Sequence, residues 1–119
     1  MLVTKLNHDF KIENQKGFFI QLVHSGWSQV NVLKSPKGCN RGGHYHKINN
    51  EAFYVIEGKI KLLLEVDDKK EVSELQDGDF FMVKPYQKHL FEFLENTIMI
   101  SMYDIGVENN DGSMDIYND

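Results

Sequence analysis

The sequence has little cysteine, no excess of basic residues and no long apolar run. Each of these shortages argues against one class of protein. Cys39 is the only cysteine among the 119 residues, so no internal disulfide can form and a reducing, cytoplasmic compartment is expected. No apolar run approaches the length that spans a membrane. The N-terminus has no basic segment followed by an apolar core, so we predict neither a signal peptide nor a membrane partner.

The charge balance argues against nucleic acid as a partner. The chain carries 13 basic and 18 acidic residues, a formal net charge of −5, whereas proteins that bind phosphate backbones usually present a basic face. A local basic patch could still meet a small phosphorylated ligand, and it would comprise Lys34, Lys37, Arg41 and Lys47. With 41% hydrophobic and 26% charged residues, the composition is that of a globular protein, and the length predicts one domain over residues 1–119.

Apolar and polar residues alternate in short runs that predict an all-β protein. Ile60, Leu62 and Leu64, for example, alternate with charged or apolar neighbours, as expected of a strand with one buried face. Turn signals recur about every ten residues, and no sustained helical stripe interrupts them. This spacing predicts a β sandwich or barrel. We expect an edge strand around residues 6–12, or a dimer arm, and an exposed polar tail over residues 105–119.

Two histidines and a carboxylate lie close together in one segment. His44 and His46 are two residues apart, so in a strand both imidazoles leave the same face. Glu51 follows a polar turn and opens an apolar, β-prone run, where its carboxylate could face the histidines. His89 follows a later turn and would be a fourth ligand. Together the four residues predict a divalent-metal site.

The same segment resembles the first motif of the cupin family. That motif has a glycine, five residues, His-x-His, a glutamate after three or four residues, and a second glycine after six more. Every spacing is matched, and the five positions are Gly38, His44, His46, Glu51 and Gly58. The resemblance covers about residues 17–104 and implies a double-stranded β-helix, or jelly-roll barrel.

The second cupin motif is matched less well. Gly78, Pro85 and His89 are present, but the histidine comes one residue early. Gln87 stands where the motif usually has its second glycine, and Phe93 stands at the usual asparagine. This shortening bears on the placement of His89.

Within the cupins, residues 41–47 resemble two branches that differ in their use of metal. The segment Arg-Gly-Gly-His-Tyr-His-Lys, with Glu51 following, is similar to the zinc-binding cupin of capsular-polysaccharide reductases. It is also similar to nucleotide-sugar 3,4-ketoisomerases, which lack the glutamate and use both histidines as acid and base without metal. The glutamate favours the metal-binding interpretation, with one divalent transition metal (Zn, Mn, Fe, Ni or Co) held by His44, His46, Glu51 and His89.

Several further residues are candidates for contact with a substrate. Arg41 could bind a carboxylate or phosphate through its guanidinium. Gln29 and Asn31 could hydrogen-bond a hydroxyl-rich ligand, although a polar outer face explains them equally well. Among the phenols of Tyr54, Tyr86 and Tyr103, we assign Tyr54 with His44 and His46 to the catalytic set. Phe53 and Phe91 share strand parity with Glu51 and His89 and would wall the cavity.

Three functions fit this site, and the resemblance favours one of them. It implies an isomerase or epimerase that moves a proton on a sugar or keto-sugar nucleotide, in carbohydrate or surface-polysaccharide metabolism. A metal-bound histidine cannot also be the base, so metal ligation and acid–base catalysis exclude each other at one residue. A metal-dependent dioxygenase is the second candidate, and a non-catalytic metabolite-binding cupin is the third. Cupins commonly dimerise through edge strands, so a homodimer is expected.

Overall fold

The computed structural model describes residues 2–118, and in that range the chain forms eleven β-strands and no helix. Because no helix is found among these residues, none is long and apolar enough to cross a membrane. The strands are β1 (Thr4–Lys5), β2 (Phe10–Asn14), β3 (Gly17–Gln21), β4 (Gln29–Ser35), β5 (Asn40–His44), β6 (Glu51–Glu57), β7 (Lys59–Val66), β8 (Lys69–Gln76), β9 (Phe80–Val83), β10 (Lys88–Phe93) and β11 (Thr97–Tyr103).

Two antiparallel sheets pack face to face. The five-stranded sheet has the order β1-β9-β6-β11-β4, and the four-stranded sheet has the order β5-β10-β7-β8. Strands β2 and β3 pair only with each other, as a separate hairpin. The predicted all-β jelly roll is confirmed by this arrangement. Since β5 lies in one sheet and β6 in the other, the segment between them carries the chain across the barrel at the candidate site.

The main core lies between the two sheets and follows the alternation in the sequence. On β7 the side chains of Ile60, Leu62 and Leu64 are buried, whereas those of the intervening residues are partly exposed. Burial of each such side chain contributes about 1.5–3 kcal/mol. The buried cluster comprises Val3, Phe53, Val55, Ile60, Leu62, Leu64, Leu75, Phe81, Val83, Phe91, Phe93 and Met99.

A second apolar cluster covers the outer face of the five-stranded sheet. Tyr54 and Phe80 stand in it with ring centroids 6.1 Å apart, and Ala52 and Met102 complete its buried part. Leu6 and segment 20–27 pack over these residues. Strand β6 is therefore buried on both faces, which explains its nearly continuous apolar sequence.

The structure corrects the expectations for both ends of the chain. Of the predicted strand over residues 6–12, only residues 10–12 form a strand, as part of β2 in the hairpin, and β1, which pairs with β9, ends at Lys5. The prediction of an exposed tail over residues 105–119 is wrong for Val107 and Asp115, which are buried. The polar side chains there bind main-chain groups as well as solvent, so polarity alone misled the prediction.

Gly58 permits the close approach of the turn between β6 and β7 to β11. It has a φ of +126°, and a Cβ there would lie 2.7 Å from Cα of Thr97. Gly78 has a φ of +85° but open space around its Cβ position, so it is a matched control. We expect G78A to cost about 1 kcal/mol of unfolding free energy, from strain alone, and G58A at least about 3 kcal/mol. Urea denaturation would measure both, and equal losses would contradict this account.

Candidate metal centre

Three strands and one turn bring the four predicted ligands together. His44 ends β5 and lies opposite His89 of β10, while Glu51 begins β6 and His46 lies in the turn between β5 and β6. Gly42 makes the β5–β10 contact possible, since a Cβ there would lie 2.7 Å from the carbonyl oxygen of His89. The pairing of β5 and β10 shifts register next to His89. This irregularity turns the two histidines toward a common point.

The donor atoms of His44, His46, Glu51 and His89 all lie within 4.8 Å of one another. Nε2 of His46 is 2.9 Å from Oε1 of Glu51, and Nε2 of His89 is 3.5 Å from the same oxygen. A transition metal bound at about 2.1 Å from each ligand needs its donors within about 4.2 Å of one another. Only a small inward movement separates this arrangement from a coordination sphere. The group could hold a metal ion.

The hydrogen bonds on the far side of two rings favour a cation at the centre. Nδ1 of His46 lies 2.6 Å from the carbonyl oxygen of Asp115, and Nδ1 of His89 lies 3.0 Å from that of Gln87. A carbonyl oxygen can only accept, so both Nδ1 atoms carry a proton. The Nε2 atoms then face the carboxylate of Glu51. A ring protonated at Nδ1 has a lone pair on Nε2, and this lone pair repels the carboxylate oxygen unless a proton or a metal lies between them. The donor set thus fits a metal.

The ionisation of the cluster follows from burial and from this hydrogen bonding. Burial raises the pKa of Glu51, but hydrogen bonds with His46 and His89 outweigh it and hold the pKa at about 2. Burial lowers the pKa of His46, but its bonds to Glu51 and to the carbonyl of Asp115 raise the pKa above its usual value. Burial and the neighbouring imidazoles lower the pKa of His44 to about 4. At neutral pH His44 is therefore uncharged beside an ionised Glu51.

A cavity of about 400 Å³ opens beside the cluster. Phe53 and Phe91 form apolar walls, as predicted from their strand parity, with ring centroids 4.8 Å apart. Arg41 also lines the cavity and is exposed to solvent, and its Nε donates to Oγ of Ser35 at 2.8 Å. The volume is in the range of small-molecule sites. The result is an apolar pocket with one cation at its rim and a polar cluster in its wall.

Tyr103 is the tyrosine that the structure brings to this cavity. It lines the cavity, and its ring stands edge-on to His46 with centroids 5.2 Å apart. Burial, the charge of Glu51 and a hydrogen bond to that carboxylate raise the pKa of Tyr103 far above its usual value. Register is the signal that could have found it, because Tyr103 is the direct β-partner of Glu51. Ser101, on the same face of β11, donates to Oε2 of Glu51 at 2.6 Å and was also missed.

Four predicted site residues are not brought to the cavity wall. One of them, His46, is buried and belongs to the donor cluster without lining the cavity. Tyr54 alternates with Phe53 on β6 and therefore points into the outer apolar cluster, so we remove it from the candidate catalytic set. Gln29 accepts a hydrogen bond from the backbone of Val107 and donates to Asn31, so its amide serves the C-terminal segment. Within residues 2–118 neither Gln29 nor Asn31 lines the cavity.

Solved structures with the same fold include a sugar 3,4-ketoisomerase and a capsular polysaccharide assembling protein. The sugar 3,4-ketoisomerase from Thermoanaerobacterium thermosaccharolyticum in complex with TDP superimposes with a TM-score of 0.78 at 16% identity, over 98% of this chain and 86% of that one. A mutant of the same enzyme was solved with TDP-4-keto-6-deoxyglucose. The capsular polysaccharide assembling protein CapF from Staphylococcus aureus gives a TM-score of 0.68 at 21% identity, over 91% of this chain and 31% of that one. The predicted cupin fold is confirmed.

Sequence comparison adds one curated relative and one family. The 3-hydroxyanthranilate 3,4-dioxygenase from Burkholderia cenocepacia is 40% identical over 53 residues. This match covers 44% of the chain and spans only 30% of the length of that dioxygenase. The model of the polysaccharide biosynthesis C-terminal domain matches residues 12–103, well over half of the chain. The chain therefore belongs to the polysaccharide biosynthesis C-terminal domain family.

Proposed function

We propose that this chain is a metal-binding cupin that catalyses proton transfer on a keto-sugar nucleotide, as an isomerase or epimerase in surface-polysaccharide metabolism. The observation that carries the proposal is the convergence of three imidazoles and one carboxylate, of which His44, Glu51 and His89 line a small-molecule cavity. The family supports polysaccharide metabolism, and the ketoisomerase fold supports the reaction class. We also propose a cytoplasmic location, since a single exposed cysteine fits a reducing compartment.

His44, His46, Glu51 and His89 would hold one divalent transition metal. Nitrogen and carboxylate donors in this ratio suit Zn, Mn, Fe, Ni or Co and suit Ca and Mg poorly. When bound, such a metal supplies positive charge that polarises a carbonyl and stabilises an enediolate. The aromatic walls formed by Phe53 and Phe91 exclude water and strengthen that electrostatic effect.

A group outside the ligand set must then carry the proton, and Tyr103 is the one the cavity offers. Its raised pKa keeps the phenol protonated at neutral pH, so Tyr103 would donate its proton to the keto oxygen while a solvent water accepts the proton released from C3. In the metal-free alternative, neutral His44 would be the base, and His46, whose pKa is raised, would be the acid. Both alternatives use the same carboxylate, since Glu51 either binds the metal or supports the charge of His46.

Arg41 is the proposed anchor for the nucleotide diphosphate. Its guanidinium lines the cavity and is exposed, and within residues 2–118 only its Nε is engaged, by Ser35. The terminal nitrogens can therefore form a paired contact with phosphate oxygens. TDP, which the ketoisomerase from Thermoanaerobacterium binds, has the required diphosphate.

A metal-dependent dioxygenase is the second candidate. It is favoured by the local identity to 3-hydroxyanthranilate 3,4-dioxygenase and by a donor set of three histidines and one glutamate. An iron-bound chain that consumes O₂ with an aromatic substrate would support it. A non-catalytic role would be supported by binding of a sugar nucleotide without turnover.

The metal site predicts about one equivalent of bound transition metal. Elemental analysis of protein purified without added metal should detect it in the wild type. The variants H46A and H89A should retain less than about a tenth of that amount under the same dialysis, since each loses one of four ligands. H24A is the control, because His24 is exposed and bonds only to Asp9. Equal metal content in all four proteins would contradict the site, and iron as the bound metal would favour the dioxygenase.

The proposed proton transfer predicts exchange at the carbon next to the keto group. TDP-4-keto-6-deoxyglucose in D₂O should take up deuterium at C3 in the presence of the protein, followed by ¹H NMR. Y103F should slow this exchange by about 10²-fold or more, because the phenolic proton is lost while the ring is kept. Y54F removes a hydroxyl from the outer apolar cluster and should exchange at the wild-type rate. The reverse order would restore Tyr54 to the catalytic set.

We further propose that two copies of the chain associate through the β2–β3 hairpin and the outer face of β4. Phe18 and Phe19 of the hairpin are more than 60% exposed, and so are Val30 and Val32 of β4. Strand β4 is also an edge of the five-stranded sheet, with main-chain groups free to pair on one side. An exposed apolar surface beside an open sheet edge suits a second copy of the same chain.

Light scattering coupled to size exclusion tests this association. The wild type should have about twice the chain mass of 13.9 kDa at micromolar concentration. F18S/V32S should shift the equilibrium to the monomer, because it places a hydroxyl on both apolar surfaces. V72S changes another exposed valine, on β8, and should leave the dimer intact. A wild-type monomer would contradict the proposal.

A further inference from the structure

The carboxylate of Asp115 organises the turn that follows His46. Asp115 is fully buried, and its Oδ1 accepts a hydrogen bond from the backbone N–H of Lys47 at 2.9 Å. Its Oδ2 accepts from the backbone N–H of Ile48 and of Asn49, both at 3.0 Å, and from the amide Nδ2 of Asn49 at 2.9 Å. Four donors around one carboxylate leave it well compensated for burial. The turn 47–49 is thus wrapped around a residue that lies 66 or more positions away in sequence.

The backbone of the same residue contacts the metal-site histidine. The carbonyl oxygen of Asp115 accepts from Nδ1 of His46 at 2.6 Å. This hydrogen bond is shorter than the one between Nδ1 of His89 and the carbonyl oxygen of Gln87. This contact leaves Nε2 of His46 pointing to Glu51, at 2.9 Å. The orientation of the His46 ring is therefore set by where the backbone of Asp115 lies. Outer partners of this kind fix the tautomer and the direction of ligating histidines.

Neighbouring contacts also hold the C-terminal segment against the site. Tyr45 and Tyr117, each close in sequence to the His46–Asp115 contact, exchange a pair of backbone hydrogen bonds at 2.8 and 3.0 Å. Their rings lie 5.7 Å apart, and Nζ of Lys47 lies 4.1 Å from the Tyr117 ring centroid. Segment 105–118 therefore packs against the turn 47–49, and its contact with the turn is made through the buried side chain of Asp115.

We propose that Asp115 is a positioning residue for the metal centre. Its carboxylate fixes the turn 47–49, the turn fixes the backbone of Asp115, and that backbone directs Nε2 of His46 toward the other ligands. The inference deepens the proposed function, because it rests on His46 being a ligand. It also adds to the site a residue from a segment that the family model, which ends at residue 103, does not cover.

D115N is the variant that tests this role. The amide has nearly the same shape as the carboxylate, but one of its two acceptor atoms becomes an NH₂ group that faces an N–H donor. The matched control is D111N, since Asp111 is in the same segment and, among the residues that the structure describes, its side chain bonds to the exposed Ser113 alone. If D115N folds poorly, N49A is the second variant: it removes one of the four donors to Asp115 together with the bonds of the Asn49 amide to residues 105 and 106, and it should change the same quantities in the same direction.

Two measurements on the 119-residue chain separate positioning from simple stability. In ¹⁵N-labelled protein freed of metal by chelation, the Nδ1–H signal of His46 should be protected from exchange with water in the wild type and D111N. D115N should exchange this proton at least about ten times faster, because the contact with the carbonyl is loosened. Co²⁺, added as the probe well below the melting temperature, should bind D115N about 10 to 100 times more weakly than D111N.

Each outcome decides between the alternatives. Equal exchange of the His46 proton and equal Co²⁺ affinity in D115N and D111N would overturn the proposal, even if D115N melts at a lower temperature. If wild-type protein fails to bind Co²⁺, the metal site is refuted. The exchange measurement would then still show whether Asp115 positions His46, so the two failures can be told apart.

Discussion

The buried carboxylate of Glu51 is the interaction on which the site depends. Its oxygens lie near His46 and His89 on one side and accept from Ser101 on the other. Burying an ionised carboxylate costs several kcal/mol unless positive charge and hydrogen bonds compensate for it. The imidazoles supply that compensation, either as a protonated ring or as fellow ligands of a cation. A metal and a proton thus compete for the same place.

The jelly roll makes this cluster possible because it brings ends of strands from two sheets to one point. Glu51 begins β6 in the five-stranded sheet, and His89 lies near the start of β10 in the four-stranded sheet. Strand alternation then puts Phe53 and Phe91 one step deeper on the same faces, where they join the main core. The apolar core and the polar site are therefore continuous. The low dielectric of the core strengthens every charge interaction at the site.

The C-terminal segment packs against the candidate site and holds the turn after His46 in place. Residues that look like a solvated tail in sequence place Asp115 in a fully buried position against the turn after His46. This contact is with His46, whose pKa is raised, and it leaves His44 as the more accessible of the two imidazoles. The two histidines of one motif therefore have different environments, which allows them different roles.

The sequence by itself determined the strand pattern, the jelly roll and the four candidate ligands, because alternation and motif spacing are local properties of the chain. It also determined the aromatic walls, since Phe53 and Phe91 follow from parity within a strand. Only the tertiary structure decided which tyrosine meets the cluster, because the pairing of Tyr103 with Glu51 joins strands that are distant in sequence. It also decided that Tyr54 packs outside and that Asp115 lies beneath the site, since a polar residue binds solvent or distant backbone groups according to how the whole chain packs.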